Sequence, residues 1–221
     1  EWERYAWCKG RVVTPYPNDI KSLVRPFVFR KYLDYSAYEA MRNLHRQIRS
    51  EVSKKGMADN IKLGARGIRE VEFIAQIFQM IRGGQMRALQ RKGTQETLKK
   101  LAELGIMPSE NVETLLAAYR FLRDVEHRLQ YWDDQQTQTL PASPEQQQLL
   151  AESMGFDSYA AFSDDLNVHR NKVNQLFNEI LSEPEEQTQD NSEWQWVWQE
   201  KPDEEERQGR LKEHGFDAET I

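Results

Sequence analysis

Apolar residues recur along this chain at the three-to-four-residue spacing of α-helices, and hardly anywhere with the two-residue alternation of half-buried strands. In "SAYEAMRNLHRQIRSEVSKKG", Tyr38, Met41, Leu44, Ile48 and Val52 share one face. Ser36 and Glu39 stand there at capping-box spacing, and Gly56 ends the run. The opposite face, with Arg42, Arg46, Arg49, Lys54 and Lys55, has the pattern of a solvated basic surface. A longer helix starts at Ser109 and buries Val112, Leu115, Leu116, Tyr119, Leu122, Val125, Leu129 and Trp132, with Pro141 forbidding its continuation. Ser143-Pro144 opens another helix, closed by Gly155, and a last one carries Tyr159, Phe162, Leu166, Val173, Leu176, Phe177 and Ile180. Thr94 to Leu104 is a shorter helix ending at Gly105. The best strand candidate, "RVVTPYP", is interrupted by two prolines and reads as a loop.

"KLGARGIREVEF" (62–73) leads into the most apolar helix. At 100° per residue, Ile68, Val71, Phe73, Ile74, Ala75, Ile77, Phe78, Met80 and Ile81 cover most of the circumference, leaving one polar strip of Arg69, Glu72, Gln76 and Gln79. That predicts a central helix. Glu70 projects among Phe73, Ile74, Ile77 and Ile81, so its carboxylate must find an arginine or free backbone N–H groups. A structural ion pair is the plain reading; a role in a site is the other. Gly64 and Gly67 ahead of the helix, with Lys62, have the ingredients of an anion cradle, though an ordinary turn uses the same residues. No strand precedes them, so this is neither a Walker nor a Rossmann loop.

These patterns predict an all-α bundle of about six or seven helices over 1–182, followed by an extension over 183–221. Charge sharpens that boundary: the extension holds 13 acidic and 4 basic residues, whereas the other 182 carry 23 acidic and 26 basic. Such an acidic tail opposes nucleic-acid binding. Its composition is that of a linker, interrupted by Trp194, Trp196 and Trp198, whose exposure would be costly and which are expected to dock on the body or on a neighbour. No apolar run spans a membrane and no leader pattern is visible; a start within a helix, without Met, reads as a piece of a longer protein. The single Cys8 fits a reducing, cytoplasmic setting as a small packed side chain.

Self-contained catalytic patterns are scarce. His45, His127, His169 and His214 lack metal-ligand spacing, and Asp133-Asp134 points two ways from a helix end. Neither a Ser–His–Asp order nor a Cys–His pair stands out, so catalytic and metal residues are expected to be none in this chain.

Five stretches in order, "WERYAWCKGRVV", "RPFVFRKYLDYS", "DNIKLGARGIREVEFIAQIFQMIRGG", "YRFLRDVEHRLQYWDDQQTQTLP" and "QLFNEIL", resemble the bifunctional glutamine synthetase adenylyltransferase/adenylyl-removing enzymes. The likeness covers about 1–182, and its details are similar to the N-terminal, adenylyl-removing half. It implies a nucleotidyltransferase, active as the full-length protein. Its polymerase-β-like core would carry a Gly-Ser turn and an Asp-x-Asp pair holding Mg²⁺; neither motif occurs here. This chain would be the helical region after that core, inactive alone, and 183–221 the linker toward the second half. The removing half would use phosphate to release ADP from adenylyl-tyrosine on glutamine synthetase, the other half would transfer AMP from ATP, and a PII-type signal protein would set the balance. The family motif K-x-G-x-G-G-[IL]-R-[DE] falls on Lys62, Gly64, Gly67, Arg69 and Glu70, implying that these face the nucleotide or phosphate; it departs at Arg66, where the family has glycine. A pure interaction module binding the signal protein or glutamine synthetase is the alternative. A uridylyltransferase of the signal protein shares the glycine motif but fits the flanking "RDVEHRLQ" and "QTQTLP" less well.

Overall fold

The structure, a computed structural model, describes residues 2–11, 13, 17–30, 35–54, 57, 59–131 and 137–181. Among them are eight α-helices: α1 (Trp2–Lys9), α2 (Pro17–Val28), α3 (Tyr35–Lys54), α4 (Ile68–Arg82), α5 (Thr94–Glu103), α6 (Ser109–Tyr131), α7 (Pro144–Ser153) and α8 (Tyr159–Leu181). A 3₁₀ turn, Arg87–Leu89, follows α4. The all-α expectation holds, with one or two helices more than predicted, because the segment around "RVVTPYP" separates two short helices, α1 and α2. No strand forms among the described residues; a single antiparallel bridge joins Asn60 to Thr139. No described helix is long and apolar enough to cross a membrane. The expectations for Trp132, Asp133, Asp134, Gly56, His214 and the tryptophan-bearing extension lie outside the described residues.

Helix α4 is central, touching α1, α3, α5, α6, α8 and the 3₁₀ turn. Its apolar sides bury Ile68, Val71, Phe73, Ile74 and Ile77. The predicted polar strip is only half a surface, since Gln76 and Gln79 are buried under α1 and the segment after the 3₁₀ turn. Gln79 is saturated there: its Nε2 donates to Leu89 O at 2.8 Å, Arg91 O at 2.7 Å and Thr97 Oγ1 at 3.2 Å, and its Oε1 accepts from Cys8 Sγ at 3.4 Å. A buried amide is stable in a core only when satisfied in this way. Cys8 is the packed thiol expected, and burial pushes it up to about 11.

Helix α6 packs most extensively on α8, and both are 23 residues long. Their ends follow the local chemistry. Ser143 Oγ accepts from Gln146 N at 3.4 Å with Pro144 behind it. At the ends of α5 and α7, Gly105 and Gly155 take φ of 65° and 85°. Ile106 N then reaches back to Leu101 O, and Phe156 N to Ala151 O, both at 2.9 Å, giving two Schellman closures whose apolar residue turns inward. Helix α3 departs from expectation, starting at Tyr35 so that Ser36 falls inside its first turn instead of capping it. Its basic face is also not uniformly solvated: Arg46 is exposed, whereas Arg49 turns toward α4.

Candidate functional site

The loop before α4 is built backward onto itself. Asn60 Oδ1 accepts from Lys62 N at 3.0 Å and Leu63 N at 2.7 Å, a side-chain turn that starts the loop. Gly64 N donates to Asn60 O at 2.9 Å, and Ile61, fully buried, anchors the strand-like edge. That edge is held by the 137–141 segment: Ile61 N donates to Gln138 O at 2.8 Å and Leu140 N to Asp59 O at 3.0 Å. "DNIKLGARG" and "QTQTLP", far apart in sequence, are therefore one substructure.

The first amides of α4 close the loop. Ile68 N donates to Ile61 O at 3.1 Å, Arg69 N to Lys62 O at 3.2 Å and Glu70 N to Gly67 O at 3.1 Å. A helix N-terminus that hydrogen-bonds its own loop offers those N–H groups to no anion. Gly67 serves this close approach: a Cβ on it would lie 2.4 Å from Ile61 O and 3.0 Å from Gly64 O. Arg66 holds φ of 65°, the left-handed region, and its Nη1 donates to Asn171 Oδ1 on α8 at 2.8 Å. The loop thus presents side chains, and its amides are turned inward as in the ordinary turn, one of the two readings of the glycines.

Those side chains enter a polar ladder across four helices. Lys62 Nζ lies 3.5 Å from Glu126 Oε1, and Arg123 Nη1 donates to Glu126 Oε2 at 2.5 Å. Glu126, on α6, is only 1% exposed. The Arg123 guanidinium lies 5.9 Å from the centre of the Tyr119 ring, whose hydroxyl donates to Glu72 Oε1 at 3.3 Å. Lys9 Nζ lies 3.3 Å from the same oxygen and donates to Thr94 Oγ1 at 3.0 Å. Burial, then the Glu72 charge, raises the Tyr119 hydroxyl above its ordinary value and keeps it a donor. Arg69, half-buried one turn before Glu72, makes no side-chain hydrogen bond or ion pair among the described residues.

Glu70 is set apart from this ladder. It is 4% exposed, and its Oε1 accepts from Arg49 Nε at 3.0 Å and Nη2 at 2.8 Å. Arg49 also donates to Asn174 Oδ1 at 2.9 Å and lies 5.4 Å from the Phe177 ring centre. His45 Nε2 stands 3.8 Å from Glu70 Oε1, its ring tilted against those of Phe73 and Phe177 at centroid distances of 5.1 and 4.1 Å. Burial, then the neighbouring Arg49 charge, pushes His45 down to about 4, so the ring is neutral at pH 7. The arginine predicted for Glu70 from a neighbouring helix is Arg49. Glu70 Oε2 is buried without a hydrogen bond.

The structure therefore gathers Lys62, Gly64, Gly67 and Arg69 at one helix entry and places Glu70 in a separate ion pair. Of the remaining histidines, His127 is exposed and His169 stacks on Phe121 at 4.5 Å. Among the described residues no group of three or more His, Cys, Asp or Glu is disposed to hold a metal ion. Sequence reasoning missed Glu126, although it sits four residues after Leu122 and three before Leu129, on the buried stripe that was projected.

Residues 42–181 match the family model described as GlnD PII-uridylyltransferase. The chain belongs to that family. Its similar curated relatives are bifunctional glutamine synthetase adenylyltransferase/adenylyl-removing enzymes. Identity is 94% over all 221 residues with that of Neisseria meningitidis serogroup A, strain Z2491, and 91% with that of serogroup B, strain MC58; in each case the chain covers 25% of the relative. With the Chromobacterium violaceum enzyme it is 57% over 186 residues, 84% of this chain and 21% of that one. The chain thus spans about a quarter of the length of these adenylyl enzymes. The resemblance carried by its motifs is borne out, while the uridylyltransferase kinship, the weaker fit in the sequence, is the one for which the family model is named.

Proposed function

We propose that these helices form the wall of an adenylyl-removing site in a nucleotidyltransferase that regulates glutamine synthetase. Lys62 and Arg69 face the phosphate or nucleotide, while Gly64, Gly67 and the Glu70–Arg49 pair fix the helix entry that carries them. The observation that supports this reading most is the ladder around the start of α4, where buried Glu126 and half-buried Glu72 hold Lys62, Arg123 and Lys9 in fixed places. Cations held in position in advance are what a developing phosphoryl charge requires. The Asp-x-Asp pair, and with it the Mg²⁺, falls to a core outside this chain, and so does catalysis; ATP, ADP and phosphate are the expected substrates and products. Leu23 and Phe27, four residues apart on α2 and 75% and 40% exposed, offer an apolar face. Because the chain spans a quarter of its relatives, we assign that face to the core of the same polypeptide. The setting is cytoplasmic, with glutamine synthetase and a PII-type protein as partners.

In the full-length protein, Lys62→Ala and Arg69→Ala should each lower phosphorolysis of adenylylated glutamine synthetase about 10- to 1000-fold while the protein stays folded at the assay temperature. The 221 residues alone should release no ADP; release by them would overturn the wall role. Unchanged kinetics with weakened binding of glutamine synthetase or the PII-type protein would instead favour an interaction module.

A further inference from the structure

A second concentration of positive charge lies where α1, the end of α2 and the segment after the 3₁₀ turn enclose a cavity of about 760 Å³. We propose that this cavity binds a phosphate ester carried on a planar ring, of the nucleoside di- or triphosphate class. Arg11, Arg25, Arg87 and Lys92 line it together with Trp7 and Phe29, and no described carboxylate does. The guanidinium groups of Arg11, Arg25 and Arg87 form no hydrogen bond or ion pair among the described residues. Three such arginines gathered without a counter-charge among the described residues repel one another, a situation that a polyanion relieves. Arginine matches phosphate oxygens in a two-pronged geometry, and Trp7 and Phe29 supply flat apolar surface for a ring. The volume lies in the range of small-molecule sites, about 300–1,000 Å³.

The walls are fixed before any ligand arrives. Lys92 Nζ donates to Cys8 O at 3.0 Å, tying the loop to α1, and Gln90 Nε2 donates to Gly83 O at 2.6 Å. Arg4 Nη2 donates to Val28 O at 3.0 Å, tying the end of α2 to α1. Preorganisation of this kind lowers the ordering cost of binding.

Calorimetry on the 221-residue chain in the presence of a chelator tests the assignment. ATP and ADP should saturate with Kd below about 1 mM, and adenosine and tripolyphosphate should bind at least about tenfold more weakly. Arg25 and Arg87 are exposed, so Arg25→Glu and Arg87→Glu leave the fold intact and should each weaken ATP at least about tenfold. Lys62→Ala and Arg69→Ala should not, which separates this cavity from the phosphate-facing role proposed above. The proposal fails if ATP gives no saturable heat, if tripolyphosphate matches ATP, or if binding depends on Lys62 and Arg69 but not on Arg25 and Arg87. Tighter binding of a hexaglutamate peptide than of ATP would reassign the cavity to an acidic protein segment and equally overturn it.

Discussion

Glu70 and Glu126 are both carboxylates buried on the apolar side of a helix, 4% and 1% exposed, and each is held by an arginine. They differ in what else reaches them. Glu70 has one cation, Arg49, and beside it a histidine that burial keeps neutral. Glu126 has two, Arg123 from its own helix and Lys62 from the glycine loop, and through them it belongs to the ladder that ends at Thr94. The first pair fastens α3 to α4. The second fastens a loop whose cationic side chains remain partly exposed. Burial of a carboxylate alone therefore does not distinguish a structural pair from a site; the number of its cations, and whether one comes from a loop, does.

Removing one cation from each carboxylate tests that distinction most severely. Arg49→Met leaves Glu70 buried with no counter-charge and should destabilise the chain by about 3 kcal/mol. Lys62→Met leaves Glu126 with Arg123 and should cost about 1 kcal/mol. Urea denaturation measures both. Equal losses would mean that Lys62 is as structural as Arg49, and would remove the reason to place Lys62 at a phosphate. The arginine's partial exposure, 36% for the side chain against 5% for Glu70, also predicts an asymmetry: Glu70→Gln should be milder than Arg49→Met, because Arg49 can turn to water.

The next effect is a pH dependence that the Glu70 pair has and the Glu126 pair lacks. The folded-state pKa of His45, about 4, lies below its ordinary 6.5, because burial and Arg49 disfavour the charged ring. The nearby Glu70 carboxylate, which would favour it, is already neutralised by Arg49. A histidine held neutral stabilises the fold fully above pH 6.5, and that stability is lost as pH falls toward 4, when the unfolded chain takes up a proton that the folded one refuses. Between pH 7 and pH 5 the loss should be about 2 kcal/mol. His45→Leu, which retains an apolar packing partner for Phe73 and Phe177, should reduce that slope, leaving the part that comes from His169, which burial also lowers. The Glu126 ladder contains no histidine, and Lys62→Met should leave the slope unchanged.

How much of this was legible follows from the same two residues. The period of α4 showed Glu70 to be buried and in need of an arginine or free backbone N–H groups, because four apolar neighbours, Phe73, Ile74, Ile77 and Ile81, make one carboxylate conspicuous. It could not choose Arg49 among Arg42, Arg46 and Arg49, since the register of α3 against α4 is tertiary. Glu126 was equally legible on the stripe of α6 but stood beside His127 and was passed over with it. Gln76 and Gln79 were read as surface because glutamine is polar; that α1 would cover them depended on a contact across 71 residues, Cys8 to Gln79. The glycine loop was recognised as a motif, yet its amides proved to be spent on the loop itself. Pairing of 59–61 with 138–140 is invisible to any local pattern.

The smallest effect concerns Arg66, which carries a positive φ where the family motif has glycine. A left-handed conformation costs a non-glycine residue about 1–2 kcal/mol. Arg66→Gly removes that strain but adds freedom to the unfolded chain and gives up an exposed hydrogen bond to Asn171, so the net gain should be only about 0.5 kcal/mol. Thermal denaturation should show a small rise in melting temperature, with Arg66→Asn, a residue tolerant of that conformation, falling between. The second measurement decides why arginine stands there. If Arg66→Gly is more stable and phosphorolysis by the full-length protein is undiminished, the arginine is incidental and the exposed cations that matter are those of the Glu126 ladder. If stability rises while phosphorolysis falls, the loop tolerates backbone strain to hold one more positive charge beside Lys62, and the contrast between a structural pair and a working one widens by a residue.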